Sequence, residues 1–535
     1  MRMIRTPRGP VRPRHLRRKG VALLAVGAAS AIALAGCSSS GSTGAATSTG
    51  TAGTDASRSG NVASLTISMP AALTGIDPMK TSFQQDVWVL HLVGGTLFAY
   101  VPGTNDQTVP ALASSSSLSS DGKTATVTLK PGLKFSDGTP LTAADVAGTF
   151  EHDIADQKAT GGFIPNFVSA AATNATTVVI NFNAPDPDYK ADLALFPLTI
   201  VPNGSWSNAN FSTSLISDGP YTVSGALTGN KVVLLRNPNY PGPKPSVAKL
   251  DMDVIADPTA ALNELETKQI DMDSQLTPAN ATSLPSSLVS RKVEAWLIDI
   301  LTFNTKLPLL NNLRIREAIG YAIDRTQLNE VGNSGQAEPW GSEISPNFPA
   351  SSESWAKVFP VTADVAKAKQ LLQGTPCASG CTISTNVIAG TNEALYAVAM
   401  QQELSAVGIK FVVNNLDPDT YNTRNFAGQY QTLLTGTGAF TPSADLNLSL
   451  NPDGPTMGMF SHYSSPSLVK AVLAAESSVG TGGETGAFQQ LASVYDGAVQ
   501  WVPLTTGPAL WASTSAANAH IYFSPTGLLD VSSLG

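Results

Sequence analysis

The alternation of apolar and polar residues is clearest between residues 124 and 154. TATVTLK (Thr124 to Lys130) places Ala125, Val127 and Leu129 on one face, the period of a half-buried strand, and Pro131-Gly132 ends it. Leu133 to Ser136 is a second short extended piece, Asp137-Gly138 a tight turn, and Pro140 keeps Thr139 extended. Thr142 then caps a helix, with Asp145 in the capping-box position and Val146, Phe150 and Ile154 spaced for one buried face. This joint explains geometry, not chemistry. Further strands are expected at Val178 to Phe182 and Lys231 to Leu235. LRIREAIGYAIDR (313–325) reads as one helix with Ile315, Ile319 and Ile323 on a stripe, and Thr362 to Leu372 as another, stopped by Gly374. Residues 392–413 run helix, Gly408, strand, a unit that builds mixed sheets. A late helix from Glu484 to Gln500 precedes Val502-Pro503-Leu504. No repeat at a period of roughly 20 to 50 residues is present, which argues against solenoids and propellers.

The first 36 residues follow another pattern. They hold eight Lys/Arg (Arg2, Arg5, Arg8, Arg12, Arg14, Arg17, Arg18, Lys19) and no Asp or Glu, then an apolar run, Val21 to Ala35, short for a bilayer span. That is the layout of a signal peptide (1–36). Leu34-Ala35-Gly36-Cys37 resembles the lipobox of bacterial lipoproteins, which makes Cys37 the expected lipid anchor and residues 37–60, rich in Ser, Gly and Thr, a flexible tether. Arg17-Arg18 leaves twin-arginine and general export both open. Without the eight leader cations the balance moves from 32 against 40 to 24 against 40, a net charge of −16. Such a chain is a poor partner for nucleic acid. About 475 residues follow the tether, too many for one core, so two or three lobes are expected. Cys377 and Cys381 are expected to form a disulfide outside the cytoplasm, with free thiols the alternative. Their spacing is not that of a CxxC redox enzyme, and no second Cys pair or nearby His supports zinc.

Taken in order, several segments resemble the family 5 extracellular solute-binding proteins, the peptide- and nickel-type receptors of ABC importers. PALASSSSLSSDGKTATVTLKPGLKFSDGTPLTAADVAGTFEH (110–152) is similar to the family signature, SDGPYTVSG (217–225) to its Gly-Pro-Tyr turn and LLRNPNYPG (234–242) to its Arg-Asn-Pro-x-Tyr segment. LTFNTKLPLLNNLRIREAIGYAIDR (301–325) is similar to the entry into the third lobe, and VAKAKQLLQG (365–374) and WVPL (501–504) to later helix and strand pieces. The resemblance implies an α/β, periplasmic-binding-protein-like type II (Venus-flytrap) bilobal fold with an extra third domain. Lobe I would comprise 61–100, 200–295 and 503–535, the additional domain 101–199, and lobe II 296–502, with two chain crossings forming a hinge. Arg314, Arg316, Asp324 and Arg325 are expected in surface and interlobe ion pairs, and Asn304 is expected to satisfy backbone groups at a lobe edge.

By position, the resemblance places Ser82, Phe83, Gln84, Gln85 and Trp88 of lobe I in the ligand cleft, with Trp340, Arg424, Thr437, Gly438 and Phe440 of lobe II. The aromatics would form apolar walls, and Arg424 could receive a carboxylate. Two departures bear on this. Ser116 stands where the family usually has Trp. Gly436-Thr437-Gly438-Ala439-Phe440-Thr441-Pro442 replaces a Gly-Trp-x-Ala-Asp-Tyr-like run, so Phe440 falls where peptide receptors carry the counter-charge for an α-ammonium, unless an inserted loop lets Asp445 serve. A less polar or sugar-like ligand, or a peptide held through its backbone, gains weight accordingly.

The expected function is capture of an oligopeptide or related small solute by a monomeric lipoprotein, held at the outer face of the membrane, that docks on ABC permease subunits driven by a cytoplasmic ATPase. No cofactor and no metal are expected. Two alternatives stand beside it. One is a secreted serine hydrolase of the Ser-x-x-Lys type, suggested by Ser120/Lys123, Ser246/Lys249, Ser354/Lys357 and Ser467/Lys470, a number close to chance and without companion motifs. The other is a non-transporting sensor on the same fold. A nickel-type receptor finds little support, because His91, His152, His462 and His520 are scattered singly.

Overall fold

The computed structural model describes residues 61–81, 84–101, 107–155, 167–225, 227, 229–293, 297–342, 344, 359–438, 445–452, 460–507, 509–523 and 527–531. Three sheets, each with its own apolar core, organise it.

The first sheet is mixed and seven-stranded, in the order Leu288–Val293, Ala509–Thr514, Met272–Asp273, Leu65–Met69, Lys249–Val254, Lys231–Arg236 and Tyr221–Val223. It draws on both halves of the described chain and forms lobe I. The helix Gln84–Val93 packs on it through Val87, Trp88, Leu90 and Leu92. The second sheet, of lobe II, is six-stranded: Glu338–Pro339, Trp501–Thr506, Ile298–Phe303, Thr432–Thr437, Cys381–Ile388 and Ile409–Leu416. Its parallel pair flanks the helix Asn392–Ser405, and Gly408 turns the chain between that helix and its strand at φ 87°, a conformation that suits glycine. The third sheet is antiparallel, Ala113–Leu118, Thr124–Leu129, Thr177–Phe182 and Phe167–Ala172. The helix Ala143–Ala155 lies on it, burying Val146 and Phe150 completely.

The joint at 124–154 follows its residues. Ala125, Val127 and Leu129 are buried and their neighbours are not. Lys134 bridges Pro140, and Phe135 and Gly138 close the turn through backbone bonds. The Asp145 carboxylate accepts from both the Thr142 amide at 2.9 Å and its hydroxyl at 2.8 Å, so the acid does the capping.

Elsewhere the structure departs from expectation. The helix expected over 313–325 is two: Leu313–Ala322, then Arg325–Asn333, with Ile323 extended and Asp324 capping the second through the Gln327 amide at 3.0 Å. The helix expected from Thr362 starts at Val365, capped by Asp364. The expected return to lobe I at residue 503 falls inside the strand Trp501–Thr506 of the lobe II sheet, so the crossing lies after Thr506.

The ion pairs expected around 314–325 are absent among the described residues. Arg316 is buried, and its guanidinium donates to three carbonyls, Val499 at 2.8 Å, Leu310 at 2.7 Å and Ala498 at 2.6 Å. It thereby closes the C-terminal end of the helix Glu484–Ala498, where Val499 sits at φ 43°. Arg325, also buried, donates to the carbonyls of Pro503 and Pro360, and burial lowers its pKa to about 10. Arg314 lies at the surface and reaches the carbonyl of Gln373. Asn304 bonds the Tyr430 carbonyl. Cys377 and Cys381 are joined by a disulfide.

Candidate ligand-binding site

The two lobes are connected by two neighbouring strands. Val293 pairs with Ala509 in lobe I and Ile298 with Thr506 in lobe II, and between those pairs the Gly507 amide donates to the Leu297 carbonyl at 3.3 Å. The crossings therefore run side by side as an antiparallel ribbon, with the register shifting by two residues between the lobe I pair and the lobe II pair.

On the lobe II side of this ribbon the strand IDILTF (Ile298–Phe303) is buried at every position. Its second residue is an acid. Asp299 is only 7% exposed, and both of its hydrogen bonds fall on Oδ2, from the Tyr396 hydroxyl at 2.9 Å and the Thr505 hydroxyl at 2.8 Å. The Tyr396 hydroxyl also accepts from Asn333 at 2.5 Å, and Asn392 donates to the Asn333 carbonyl oxygen at 2.9 Å. Oδ1 faces two glycines: a methyl group at Gly436 would stand 3.9 Å from it, and one at Gly507 3.7 Å. Burial pushes the Asp299 carboxyl up to about 7, the charge of Glu393 adds to this, and the two hydroxyl donors oppose it. An acid held this way beside the lobe crossing has a perturbed titration and a polar anchor, the combination found at ligand sites.

On the lobe I side, the segment that runs toward Ser82 is organised by acids. Asp86 accepts from the amide and hydroxyl of Thr74, and Asp77 accepts from the Met79 amide and pairs with Lys80 at 2.9 Å. A polar cavity of about 340 Å³ opens beside Thr74, Asp77, Lys80, Thr81 and Trp206.

The residues expected in the cleft divide. Thr437 and Gly438 stand at the end of the strand next to Asp299; Thr437 is buried and pairs with Ile298, its hydroxyl has no hydrogen-bond partner among the described residues, and Gly438 has φ 144°. Gln84 is exposed, and the Gln85 amide reaches the Ala72 carbonyl at 3.5 Å. Arg424 is exposed in the last turn of the helix Pro418–Phe426, and its guanidinium makes no hydrogen bond or ion pair among the described residues. The two tryptophans are corrections to the expectation of aromatic walls. Trp88, 2% exposed, lies in the lobe I core against Phe523 and donates to the Gly527 carbonyl at 2.9 Å. Trp340, 6% exposed, packs in lobe II with Ile298 and Ile300 and donates to the Ile344 carbonyl at 3.1 Å. Each ring is spent on its own core, with its one polar atom satisfied there. Ser82, Phe83, Phe440 and Cys37 lie outside the described residues.

Asp299, Thr505, Tyr396 and Asn333 escaped the sequence reading. The one available signal was a lone acid inside a strand otherwise fit for full burial.

Each of the four described histidines has a local contact: His91 with Asp530, His152 stacked on Trp206, His462 with Tyr430, His520 with Ser246. Among the described residues no group of three His, Cys, Asp or Glu could hold a metal ion, and no helix is long and apolar enough to cross a membrane.

Comparison with known proteins agrees with this architecture. Residues 107–456 match the model described as bacterial extracellular solute-binding proteins, family 5 Middle. A putative ABC transporter peptide-binding protein of Brucella ovis is 28% identical over 365 residues, 64% of this chain and 67% of the relative. The nickel-binding periplasmic protein of Escherichia coli is 28% identical over 281 residues, 50% of this chain and 52% of the relative. In three dimensions the chain is similar to an ABC transporter-associated periplasmic binding protein of Helicobacter pylori, solved in complex with the peptide STSA, at a TM-score of 0.78 and 20% identity, covering 88% of this chain and 98% of that one. With a mixed α/β bilobal fold whose lobes meet at a paired crossing, and a family match over 107–456, the chain belongs to the family 5 bacterial extracellular solute-binding proteins, the ABC substrate-binding proteins of peptide and nickel type.

Proposed function

We propose that this protein captures a short peptide, or a related solute carrying an ammonium group, between its lobes and delivers it to a membrane permease, tethered meanwhile by a lipid on Cys37. The observation that carries the reading is Asp299, a buried carboxylate beside the ribbon that joins the lobes, with one oxygen held by hydroxyls and the other turned toward two glycines. Phe440 removes the acid expected for an α-ammonium, and Asp299 supplies an alternative. A bound cation would favour the ionised form of Asp299 and offset its desolvation, which makes ligand affinity and lobe closure mutually reinforcing. The relative named as peptide-binding and the likeness to a chain solved with a peptide support the same class.

The metal reading has less support, since no three-ligand cluster exists among the described residues. A bound anion would be opposed by Asp299.

Mass spectrometry of the protein extracted from its native membranes, without refolding, tests both parts. The expected result is a diacylated Cys37 as the first residue and a heat-released peptide or amine, with less of it recovered from Asp299→Asn. A neutral sugar, or equal recovery from the variant, refutes the role of Asp299; an unmodified N-terminus refutes the anchor.

A further inference from the structure

We propose a second binding site, outside the interlobe cleft, in the crevice between lobe I and the additional domain, for a small organic cation: a primary ammonium on a compact apolar body. The crevice holds about 170 Å³ and none of the residues around it comes from lobe II. Cavities near 150 Å³ accept a benzene ring, so the space suits a ligand of that order.

Its buried wall carries the argument. Asp218 lines the crevice and is 1% exposed; among the described residues its Oδ1 has no hydrogen-bond partner, and its own backbone amide favours its charge. The carboxylate lies directly on the backbone of Gly95, where a methyl group would come within 2.1 Å of Oδ1, so a glycine is required beneath it. Burial raises this carboxyl to about 7. A buried, unpaired carboxylate is costly, and a cation seated on it removes the cost.

The rest of the lining restricts the class. The hydroxyl of Tyr240 is pushed up to about 12, first by burial and then by the charges of Asp218 and Asp530, so the three groups surround one region. His91 contacts Asp530 at 3.1 Å, and Lys130 turns to the Pro110 carbonyl at 3.5 Å, so neither hydrogen-bonds Asp218. Leu92, Leu112, Phe196 and Leu528 supply apolar walls, while Val109, Pro110, Pro241 and Pro243 are exposed at the rim. An anion would meet two carboxylates. A metal ion would lack a three-ligand cluster, none being present among the described residues.

Benzylamine is the probe, benzyl alcohol its neutral counterpart, and isothermal titration of the mature protein the readout. The expected result is saturable binding of benzylamine, weakened about tenfold or more by loss of its charge-assisted hydrogen bond in benzyl alcohol or in Asp218→Asn. Tyr240→Phe, at a half-buried position, provides a second variant should Asp218→Asn misfold, and is expected to weaken binding several-fold. Absence of saturable binding, equal binding of the alcohol, or wild-type affinity in Tyr240→Phe together with a folded Asp218→Asn overturns the proposal. So does loss of benzylamine binding in Asp299→Asn, which would place the ammonium in the interlobe cleft. Since the crevice contains no lobe II residue, the interlobe reading stands or falls separately.

Discussion

Replacing Asp299 by Asn tests how the lobe II network is held. Asn can accept the Tyr396 and Thr505 hydrogens at its carbonyl oxygen, so the packing survives while the titration disappears. In the folded wild type the carboxyl titrates at about 7; unfolded, it titrates near its ordinary value of about 3.9. The folded state therefore holds the proton more tightly. The stability this adds is full below about pH 4, declines as pH rises and is lost above about pH 7. Between pH 5 and pH 8 the linked change is roughly 2 to 3 kcal/mol. Asp299→Asn, neutral at every pH, is expected to match wild type only below about pH 4, and its margin over wild type is expected to grow by roughly that amount between pH 5 and pH 8. Other buried acids, among them Asp218, Asp445 and Glu403, also titrate near 7, but they are common to both proteins and cancel in the difference. Urea titration read by hydrogen-exchange mass spectrometry on peptides covering 298–303 and 392–405 isolates lobe II from the rest of the chain. A variant-minus-wild-type difference that is equal at the two pH values would refute the reasoning. A variant less stable at pH 8 would show that ionised Asp299 is favourably paired.

Two further substitutions probe the frame around that network. Arg316→Met keeps the length of the side chain and removes the donors to Val499, Leu310 and Ala498; leaving three buried carbonyls unmet is expected to cost about 3–5 kcal/mol in urea unfolding of lobe II, and a loss below 1 kcal/mol would show that water replaces the guanidinium. Gly332→Ala would gain about 1 kcal/mol of helix propensity. Its methyl group, however, would fall 2.1 Å from Cε1 of Tyr396, so net destabilisation by about 1–3 kcal/mol is expected, with faster exchange around Asp299; a more stable protein would mean that the ring shifts freely.

Local order was legible where one period governed burial. In TATVTL the alternation in the sequence is the alternation in the structure, because one face meets a helix and the other does not. Ile315, Ile319 and Ile323 are all buried as their spacing implies, yet the helix ends before Ile323, because Asp324 and Gln327 make a start signal inside an unbroken apolar pattern. Arginines 316 and 325 misled for a different reason: charge suggests solvent, while their fork of donors suits backbone carbonyls left over at helix and strand ends. The site was less legible still. Trp88 and Trp340 carry the composition of a binding wall, but whether an aromatic ring faces a ligand or a core depends on contacts hundreds of residues away, such as Trp88 with Gly527. Asp299 was hidden by its setting, since its partners come from 333, 396 and 505, brought together by the lobe II fold.

The lobe I sheet has a consequence for the order in which the molecule can be assembled. Its strand Leu65–Met69 lies between Lys249–Val254 and Met272–Asp273, the latter paired in turn with Ala509–Thr514, and Trp88 bonds a carbonyl 439 residues downstream. The sheet at 113–182, by contrast, closes through contacts such as Thr124 with Asn181, 57 residues apart. Bringing together the more distant pair costs about 2 kcal/mol more in loop-closure entropy. A chain made from its N-terminus must therefore carry Leu65, Ile67 and Met69 without their strand partners until residue 273 is reached, and Trp88 without its Gly527 carbonyl until residue 527. The lobe that comes first in sequence is the last that can be finished, and its apolar residues are the ones exposed longest to the wrong neighbours.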